Sequence, residues 1–436
     1  MIYSTEKEGI WVITVAVICI LTCVALMVLV CVKPSVTVGK HTVSIYWMPP
    51  LIGAVTLVAS GKLSITELVA GLTADTAMNP IKILVLFLSM TLLSIFLDAT
   101  GFFSLLAAAV LRRAQFSQMR LFCYLYLIVS VLTVFTSNDV VVLTFTPFIC
   151  YFAANANIRP LPYLLCAFVA ANTWSMALLI GNPTNMYLAA NVDFIGYLQV
   201  MWLPTLFAGI VSFIALWVLF RKDLTKPIEQ GYPQFAVEDP ALLMIGVIHL
   251  AVCIVLLVLS AYIALPMWGI ALGALVSLMI TVTVYLLVRK RPLHILRATL
   301  RRAPFETVPF VLSMFVLVLT LTKYGVTAHI GNLLSAGNAV FTYGGASFLA
   351  ANIINNIPMS VLFSVLADSP AALYAAVIGS NIGAYCTPLG ALAGIMFKSL
   401  LRNHGILLSF KQFMKYGVAV AIPTLAAALL GLLLTV

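Results

Sequence analysis

Long apolar stretches separated by short polar segments make up almost the whole chain. A helix needs about 20 apolar residues to cross a bilayer. Windows of that length predict spanning helices at 9–32, 41–60, 80–100, 160–190, 194–220, 240–260, 263–288, 305–324, 371–397 and 412–435. Polar residues interrupt two further apolar stretches, 119–157 and 339–369, which predicts two re-entrant hairpins. The pattern indicates an all-α polytopic membrane protein with about ten transmembrane helices plus two re-entrant hairpins.

The composition excludes a soluble protein. Of 436 residues, 63% are apolar and 8% are charged, whereas soluble domains have roughly 45–50% apolar and 25% charged residues. The net charge of +10 is explained by basic residues in cytoplasmic loops rather than by binding to nucleic acid. The eight cysteines show no metal-binding spacing, so neither a metal nor another cofactor is predicted.

The distribution of basic residues predicts the orientation of the spans. If both hairpins enter and leave on one side, only Lys7, Lys62, Lys82 and Lys323 of the 23 Lys and Arg residues lie outside. Such a bias is typical of cytoplasmic loops. It predicts that both termini lie outside, and the expected location is a bacterial-type inner (plasma) membrane.

The two halves of the chain resemble each other. A constant offset aligns Pro80 with Pro304, Leu88-Ser89-Met90 with Leu312-Ser313-Met314, and Gly101 with Gly325. In the predicted topology these segments run in opposite directions, so the repeat is of inverted topology, as in many secondary transporters. The predicted organisation is an N-terminal transmembrane helix at 1–40, a first repeat at 41–220, a cytoplasmic linker at 221–239 and a second repeat at 240–436.

Four polar clusters interrupt the apolar sequence, one in each hairpin and one in each of the segments 160–190 and 371–397. Gly, Pro and Asn at membrane depth free backbone groups that hydrocarbon cannot satisfy, so such breaks line a protein cavity or water. The bland alternative is a helix kink or an interhelical hydrogen bond. The predicted substrate-binding residues are Ser137, Asn138, Asn172, Thr173, Asn182, Thr184, Asn185, Asn355, Asn356, Ser380, Asn381 and Thr387.

Asp139 is the one carboxylate predicted at membrane depth. A lone acid in a membrane is expensive unless it has a function, so it is a candidate to carry a proton or to bind Na⁺. The alternative role is a structural cap at the hairpin tip. The repeat places Ile357 at the equivalent position. His249 is expected to form an interhelical hydrogen bond, and the basic stretch 289–302 is expected to form an interfacial helix beside anionic lipid.

Four motifs resemble those of a known superfamily. FTSNDVVVLTFTPFI (135–149), LIGNPTN (179–185), INNIPMSVL (354–362) and SNIGAYCTPLGALAGIMF (380–397) resemble the ion-transporter superfamily, and most of all its arsenite/antimonite efflux permeases. The superfamily also includes sodium/proton antiporters and divalent-anion/sodium symporters. The resemblance implies two inverted repeats, a scaffold portion and an elevator-like transport portion. An arsenite permease would also have a soluble ATPase subunit as a partner.

The sodium/dicarboxylate branch carries Ser-Asn-Thr at both hairpin tips, and this chain departs from that pattern. The four clusters also contain no Arg or Lys, which favours a neutral solute such as As(OH)₃. We therefore predict a secondary transporter, not an enzyme, that exports arsenite or antimonite in exchange for protons carried by Asp139. A thiophilic substrate could also meet Cys386.

Other functions remain open from the sequence. The alternatives are a sodium- or proton-coupled transporter of a carboxylate or inorganic anion, a sodium/proton antiporter, a channel, and a membrane enzyme, which would require a catalytic constellation that the sequence does not show. The expected partners are a small inorganic or organic solute, H⁺ or Na⁺, the lipid bilayer and a second protomer in a homodimer, with no nucleic acid.

Overall fold

The computed structural model describes residues 2–32, 35–38, 41–76, 79–114, 117–228, 239–263 and 265–436. Nearly all of these residues are helical, which confirms the predicted all-α membrane fold. Within the described ranges the only strands are β1 (Ser35–Val38) and β2 (His41–Ser44), which form a small antiparallel hairpin. Most of the predicted linker 221–239 lies outside the described residues.

The described residues of the first half form ten α-helices. They are α1 (Ile2–Val32), α2 (Met48–Ala59), α3 (Ile65–Thr73), α4 (Pro80–Ala99), α5 (Phe102–Ala114), α6 (Gln118–Phe135), α7 (Asn138–Asn155), α8 (Leu161–Trp174), α9 (Pro183–Leu188) and α10 (Phe194–Leu224). Two short 3₁₀ turns, Ser175–Ala177 and Leu179–Gly181, separate α8 from α9.

The second half has the same number of helices in the part that the structure describes. They are α11 (Pro240–Ile263), α12 (Met267–Val288), α13 (His294–Arg301), α14 (Thr307–Lys323), α15 (Val326–Leu334), α16 (Ala339–Ile354), α17 (Asn356–Leu366), α18 (Pro370–Gly383), α19 (Leu392–Asn403) and α20 (Phe410–Leu432).

Among the residues that the structure describes, seven helices are long and apolar enough to cross a membrane by themselves. They lie at Ile10–Leu29, Pro80–Ala99, Gln118–Phe135, Phe194–Leu224, Pro240–Ser260, Met267–Val288 and Phe410–Leu432. An eighth span would be α14 with α15, which are bent by 83°. The predicted segments 160–190 and 371–397 are each divided into two shorter helices. One of the seven, α6 (Gln118–Phe135), was predicted as one arm of a re-entrant hairpin but is long enough to span.

The prediction of a continuous spanning helix at 41–60 is wrong. This segment begins as β2, and its helix, α2, has only 12 residues. Pro49 and Pro50 lie at the start of α2, where a missing N–H costs nothing. The chain leaves the helix at Ser60, and Gly61 has a φ of 70°. Prolines at one end and a left-handed glycine at the other therefore limit the helix to about three turns.

The two halves use the same local geometry and the same helix contacts. Gly101 and Gly325, which the sequence offset aligns, both have positive φ, at 84° and 72°, and each lies just before the helix that follows α4 or α14. α6 packs on α8 as α16 packs on α18, and α4 packs on α12 as α14 packs on α2. The second helix of each hairpin contacts a helix of the other half of the chain: α7 contacts α19, and α17 contacts α9.

The ion pairs follow the predicted division of the charges. Lys323 contacts Glu67 and the Lys62 carbonyl, and Lys82 contacts Asp75. A second set consists of Arg159–Asp223, Arg291–Asp239 and Arg302–Asp98. Each pair joins residues that the predicted topology places on the same side.

His249 makes the expected interhelical contact. Its Nδ1 lies 2.8 Å from the Ile245 carbonyl oxygen, and its Nε2 lies 3.3 Å from Ser277 Oγ on α12. This position between α11 and α12 agrees with a structural role for the imidazole.

Candidate functional site

The polar clusters lie at four breaks in the helical path. The hairpins break at Thr136–Ser137, between α6 and α7, and at Asn355, between α16 and α17. The other two breaks, residues 175–182 and 384–391, separate α8 from α9 and α18 from α19. The last two start later than the polar residues suggest, because Asn172 is still inside α8 and Asn381 inside α18.

Asn381 connects the two halves of the chain. Its Oδ1 accepts hydrogen bonds from Asn182 Nδ2 at 2.9 Å and from Ser175 Oγ at 2.8 Å. Its Nδ2 donates to Asn185 Oδ1 at 2.7 Å. All four side chains are fully or almost fully buried. One amide from the second half thus binds two side chains of the break in the first half and one side chain of α9.

Asn185 also satisfies the backbone of its own break. Its Nδ2 donates to the carbonyl oxygens of Ser175, at 2.8 Å, and Leu178, at 3.1 Å. A Cβ on Gly181 would lie 2.2 Å from the Ser175 carbonyl oxygen, so only glycine allows this close fold. The unwound segment is therefore ordered by side-chain amides, as a break at membrane depth requires.

The first hairpin tip joins the same network. Asn138 Nδ2 donates to Asn172 Oδ1 at 3.1 Å. Ser175 Oγ lies 2.9 Å from the Asn172 carbonyl oxygen and can donate its single proton either there or to Asn381. Asn138 and Asn172 are therefore linked to Asn381 through Ser175.

The tip of the second hairpin contacts the break at 384–391, between α18 and α19. Asn355 Nδ2 donates to the Leu389 carbonyl oxygen at 2.9 Å, and the backbone N–H of Asn356 donates to the Gly390 carbonyl oxygen at 3.1 Å. Asn355 has a φ of 76°, a conformation that Asn tolerates better than most residues. Thr387 Oγ1 accepts a hydrogen bond from the Leu389 N–H at 3.2 Å.

Five buried polar atoms at these breaks have no hydrogen-bond partner in the described part of the chain. They are Ser137 Oγ, Asn138 Oδ1, Thr184 Oγ1, Asn356 Oδ1 and Ser380 Oγ. A buried polar group without a partner costs about 1–3 kcal/mol. Groups of this kind, in both hairpin tips and both broken crossings, can bind a polar solute.

Asp139 lies in the first turn of α7 and is partly buried. Among the residues described it makes no hydrogen bond or ion pair, whereas Glu67, Asp75, Asp98, Asp223 and Asp239 all have basic partners. A carboxylate near a helix N-terminus is stabilised by the helix dipole. It also lies within electrostatic range of Tyr46, whose hydroxyl lies 3.3 Å from Thr307 Oγ1.

Two residues of the network were not predicted from the sequence. Ser175 lies two positions after Thr173 and is the first residue of the break, so the clustering of polar residues could have identified it. Tyr385 lies in the second break, and its hydroxyl accepts a hydrogen bond from Thr173 at 3.3 Å. Nothing in the sequence marks Tyr385 as a site residue, since aromatic residues are common in apolar segments. Cys386 is buried beside Tyr385.

A family model described as "Citrate transporter" (CitMHS) matches residues 43–375. The "Arsenical pump membrane protein" of Escherichia coli K12 is 26% identical over 375 residues, which cover 80% of this chain and 85% of the relative. Its counterpart in Yersinia enterocolitica is 27% identical over 371 residues, with the same coverage of both chains.

Two solved structures are similar in fold. The Alcanivorax borkumensis YdaH transporter has a TM-score of 0.50 at 14% identity and covers 97% of both chains. The Neisseria gonorrhoeae MtrF structure, described as one of a class of antimetabolite efflux pumps, has a TM-score of 0.51 at 14% identity and covers 97% of this chain and 94% of the other. Together with the buried polar breaks in an apolar helical protein, the family match gives the conclusion that this chain is a membrane transporter of the citrate transporter family.

Proposed function

We propose that the protein is a secondary active transporter that exports arsenite or antimonite in exchange for protons. The observation that carries this proposal is the buried network of Asn182, Asn185 and Asn381, which offers amides and hydroxyls but no cationic side chain. A multivalent anion would have to be bound without a counter-charge, whereas As(OH)₃ needs only hydrogen-bond donors and acceptors. The arsenical pump relatives support the same substrate class.

Asp139 is the proposed proton carrier. It adjoins Asn138, which is joined to the network through Asn172, and it has no basic partner in the described residues to fix its charge. A carboxyl group without such a partner can lose and regain a proton as its access to the two sides changes. Its equivalent in the second half is Ile357, so one proton site per chain is proposed.

An elevator-type alternating-access mechanism on two inverted repeats is part of the proposal. The α6–α8 contact matches the α16–α18 contact, and the α7–α19 contact matches the α17–α9 contact. These matches support the two repeats proposed at 41–220 and 240–436. The hairpins and broken crossings would form the moving portion, in an inner-membrane protein with both termini outside. A homodimer and a soluble ATPase partner remain proposals from the resemblance.

Transport by the purified full-length protein in proteoliposomes tests this function. We expect radiolabelled arsenite flux to be driven by an imposed pH gradient and to be lost, by at least tenfold, in Asp139→Asn. The matched control is Asp368→Asn, which removes an exposed carboxylate in the turn between α17 and α18. Equal gradient-driven flux in the wild type and Asp139→Asn would contradict proton coupling through Asp139, and an absence of arsenite flux would contradict the substrate.

The second candidate function is transport of citrate or another carboxylate, which the family match favours. The same vesicles can be tested with radiolabelled citrate under a proton gradient and then a sodium gradient. Saturable citrate flux that arsenite does not inhibit would favour this function. Flux that saturates with neither solute and follows no gradient would instead favour a channel.

A further inference from the structure

An open groove lies along the short helix α13. The groove has a volume of about 600 Å³ and is lined by Leu293, Leu296, Arg297, Leu300, Arg301 and Phe305. One face of α13, with Ile295, Leu296 and Thr299, is buried against the protein. Leu293, Leu300 and Phe305 remain exposed although they are large and apolar. The groove therefore combines apolar walls with two basic side chains.

The two arginines in the groove are not neutralised. Arg297 and Arg301 lie four residues apart on α13, so their guanidinium groups project from the same face. Both are exposed, and neither side chain makes an ion pair or hydrogen bond within the described residues. Arg302, the next residue, is instead paired with Asp98. Two free guanidinium groups at this spacing are suited to a phosphate, which arginine binds through paired hydrogen bonds.

We propose that this groove is a binding site for one anionic phospholipid. The headgroup phosphate lies between Arg297 and Arg301, and an acyl chain lies along Leu300 and Phe305. A soluble phosphate would leave the apolar walls exposed to water, and a neutral lipid would leave both charges without a partner. α13 follows α12, which is long enough to span the membrane, so the groove lies at the end of a span where headgroups are found.

The groove is connected to the hairpin that carries Asp139. Arg302, at the C-terminal end of α13, pairs with Asp98 in the last turn of α4. Asp98 Oδ1 accepts a hydrogen bond at 2.7 Å from Thr144 Oγ1 on α7. A lipid that holds α13 in place thereby also restrains α7. This effect on transport rests on the proposed function, whereas the binding of lipid does not.

Binding can be measured on the purified full-length protein by titration with phosphatidylglycerol in phosphatidylcholine nanodiscs, with native mass spectrometry to count bound lipids. In Arg297→Gln/Arg301→Gln we expect phosphatidylglycerol affinity to fall roughly 30-fold, as expected for two charges near an anionic surface. The matched control is Arg112→Gln/Arg113→Gln, which removes an exposed basic pair at the end of α5 and should leave the affinity unchanged. Inorganic phosphate alone should not compete.

A second variant separates binding at the groove from a folding defect. Leu300→Ser keeps both charges, and we expect it to weaken binding of long-chain but not of short-chain phosphatidylglycerol. Equal affinity in the wild type and the double arginine variant, or an equal loss in the Arg112/Arg113 control, would overturn the proposal.

Thr144→Val tests the link to α7. This variant should retain lipid binding but lose any effect of phosphatidylglycerol on transport. If phosphatidylglycerol binds but alters transport equally in the wild type and Thr144→Val, the link through Asp98 is wrong, whether or not arsenite is the substrate.

Discussion

At the scale of single residues, the side chain of Asn381 uses both its oxygen and its nitrogen to hold residues of the other half. Its removal would leave Ser175 Oγ, Asn182 Nδ2 and Asn185 Oδ1 without this partner in a buried site. Asn381 and its partners are about two hundred positions apart in the sequence, so no local pattern indicates which asparagines meet. The sequence identified Asn182, Asn185 and Asn381 as site residues, but their pairing is a property of the folded chain.

Asn381→Ala should lower the thermal stability of the purified protein. Leaving buried polar groups unpaired costs about 1–3 kcal/mol, so we expect a clear fall in the midpoint of thermal unfolding in detergent. Asn352→Ala is the matched control, because Asn352 is partly buried and, in the described part of the chain, its side chain hydrogen-bonds only to the Phe348 carbonyl of its own helix. An equal loss of stability in the two variants would contradict a linking role for Asn381.

At the scale of helices, the glycines of the second broken crossing have two different roles. Gly379 lies inside α18 and does not break it. A Cβ at Gly379 would lie 2.5 Å from the Gly344 carbonyl oxygen and 2.0 Å from Ser347 Oγ on α16. The helix ends at Gly383, and Gly390 lies within the break that follows, where a Cβ would lie 2.2 Å from the Gly383 carbonyl oxygen. Composition alone does not distinguish a glycine that unwinds a helix from one that allows close packing.

Gly379→Ala is expected to destabilise the contact between α16 and α18. The Ser347 side chain can rotate away, but the Gly344 carbonyl cannot move without separating the helices, and such overpacking typically costs 1–3 kcal/mol. The control is Gly345→Ala, where an added Cβ meets nothing within 4 Å. That change should be neutral or stabilise the helix by up to about 1 kcal/mol. Thermal unfolding of both variants is the measurement, and unchanged stability in Gly379→Ala would exclude the proposed close contact.

Most spanning helices were predicted from apolar length, because twenty apolar residues have few other stable environments. The prediction failed at 41–60, and each of the predicted spans at 160–190 and 371–397 is divided into two shorter helices. At these places local chemistry decides where a helix begins and ends. Pro49 and Pro50 delay the start of α2, and the side chain of Asn182 caps the start of α9 by accepting from the Thr184 N–H at 3.2 Å. Such ends depend on single residues, which a window average conceals.

At the scale of the whole molecule, one exposed ion pair fastens the short helix α3 to the end of α14. Lys323 Nζ lies 2.7 Å from Glu67 Oε1. The hydrogen bond from Lys323, with further hydrogen bonds from the Ser64 backbone and hydroxyl, lowers the pKa of the Glu67 carboxyl from 4.5 to about 2. Because the folded-state pKa is the lower one, this contribution to stability is present above pH 4.5 and is lost as the pH falls toward 2.

Glu67→Gln should therefore remove part of the acid sensitivity of unfolding. The glutamine can keep the capping box with Ser64 but loses the charge. We expect the wild type to have a higher unfolding midpoint than the variant above pH 5, and the difference to vanish near pH 2. Asp368→Asn is the control. A difference that stays constant from pH 6 to 2, or one that grows in high salt, would contradict this explanation, since salt screens exposed charges.

The orientation of the chain can be determined by cysteine labelling. In a background without native cysteines, Lys62→Cys should react with an impermeant maleimide added outside cells, whereas Arg291→Cys should react only after the membrane is opened. Lys62 is partly exposed and Arg291 is exposed, and the distribution of basic residues predicts the difference. The reverse pattern would invert the predicted topology, and labelling of both from outside would contradict the proposed number of crossings.

The hydrogen bonds from Asn381 to the first half have a consequence for how the protein unfolds. Asn381 belongs to α18, whereas its partners Ser175 and Asn182 lie in the break before α9 and Asn185 lies in α9. Neither half can therefore unfold at the site without exposing the other half's amides. Calorimetry of the wild type should then record a single cooperative transition, rather than one melting event for each half of the sequence. In Asn381→Ala we expect that transition to broaden or divide, as two units of different stability become independent.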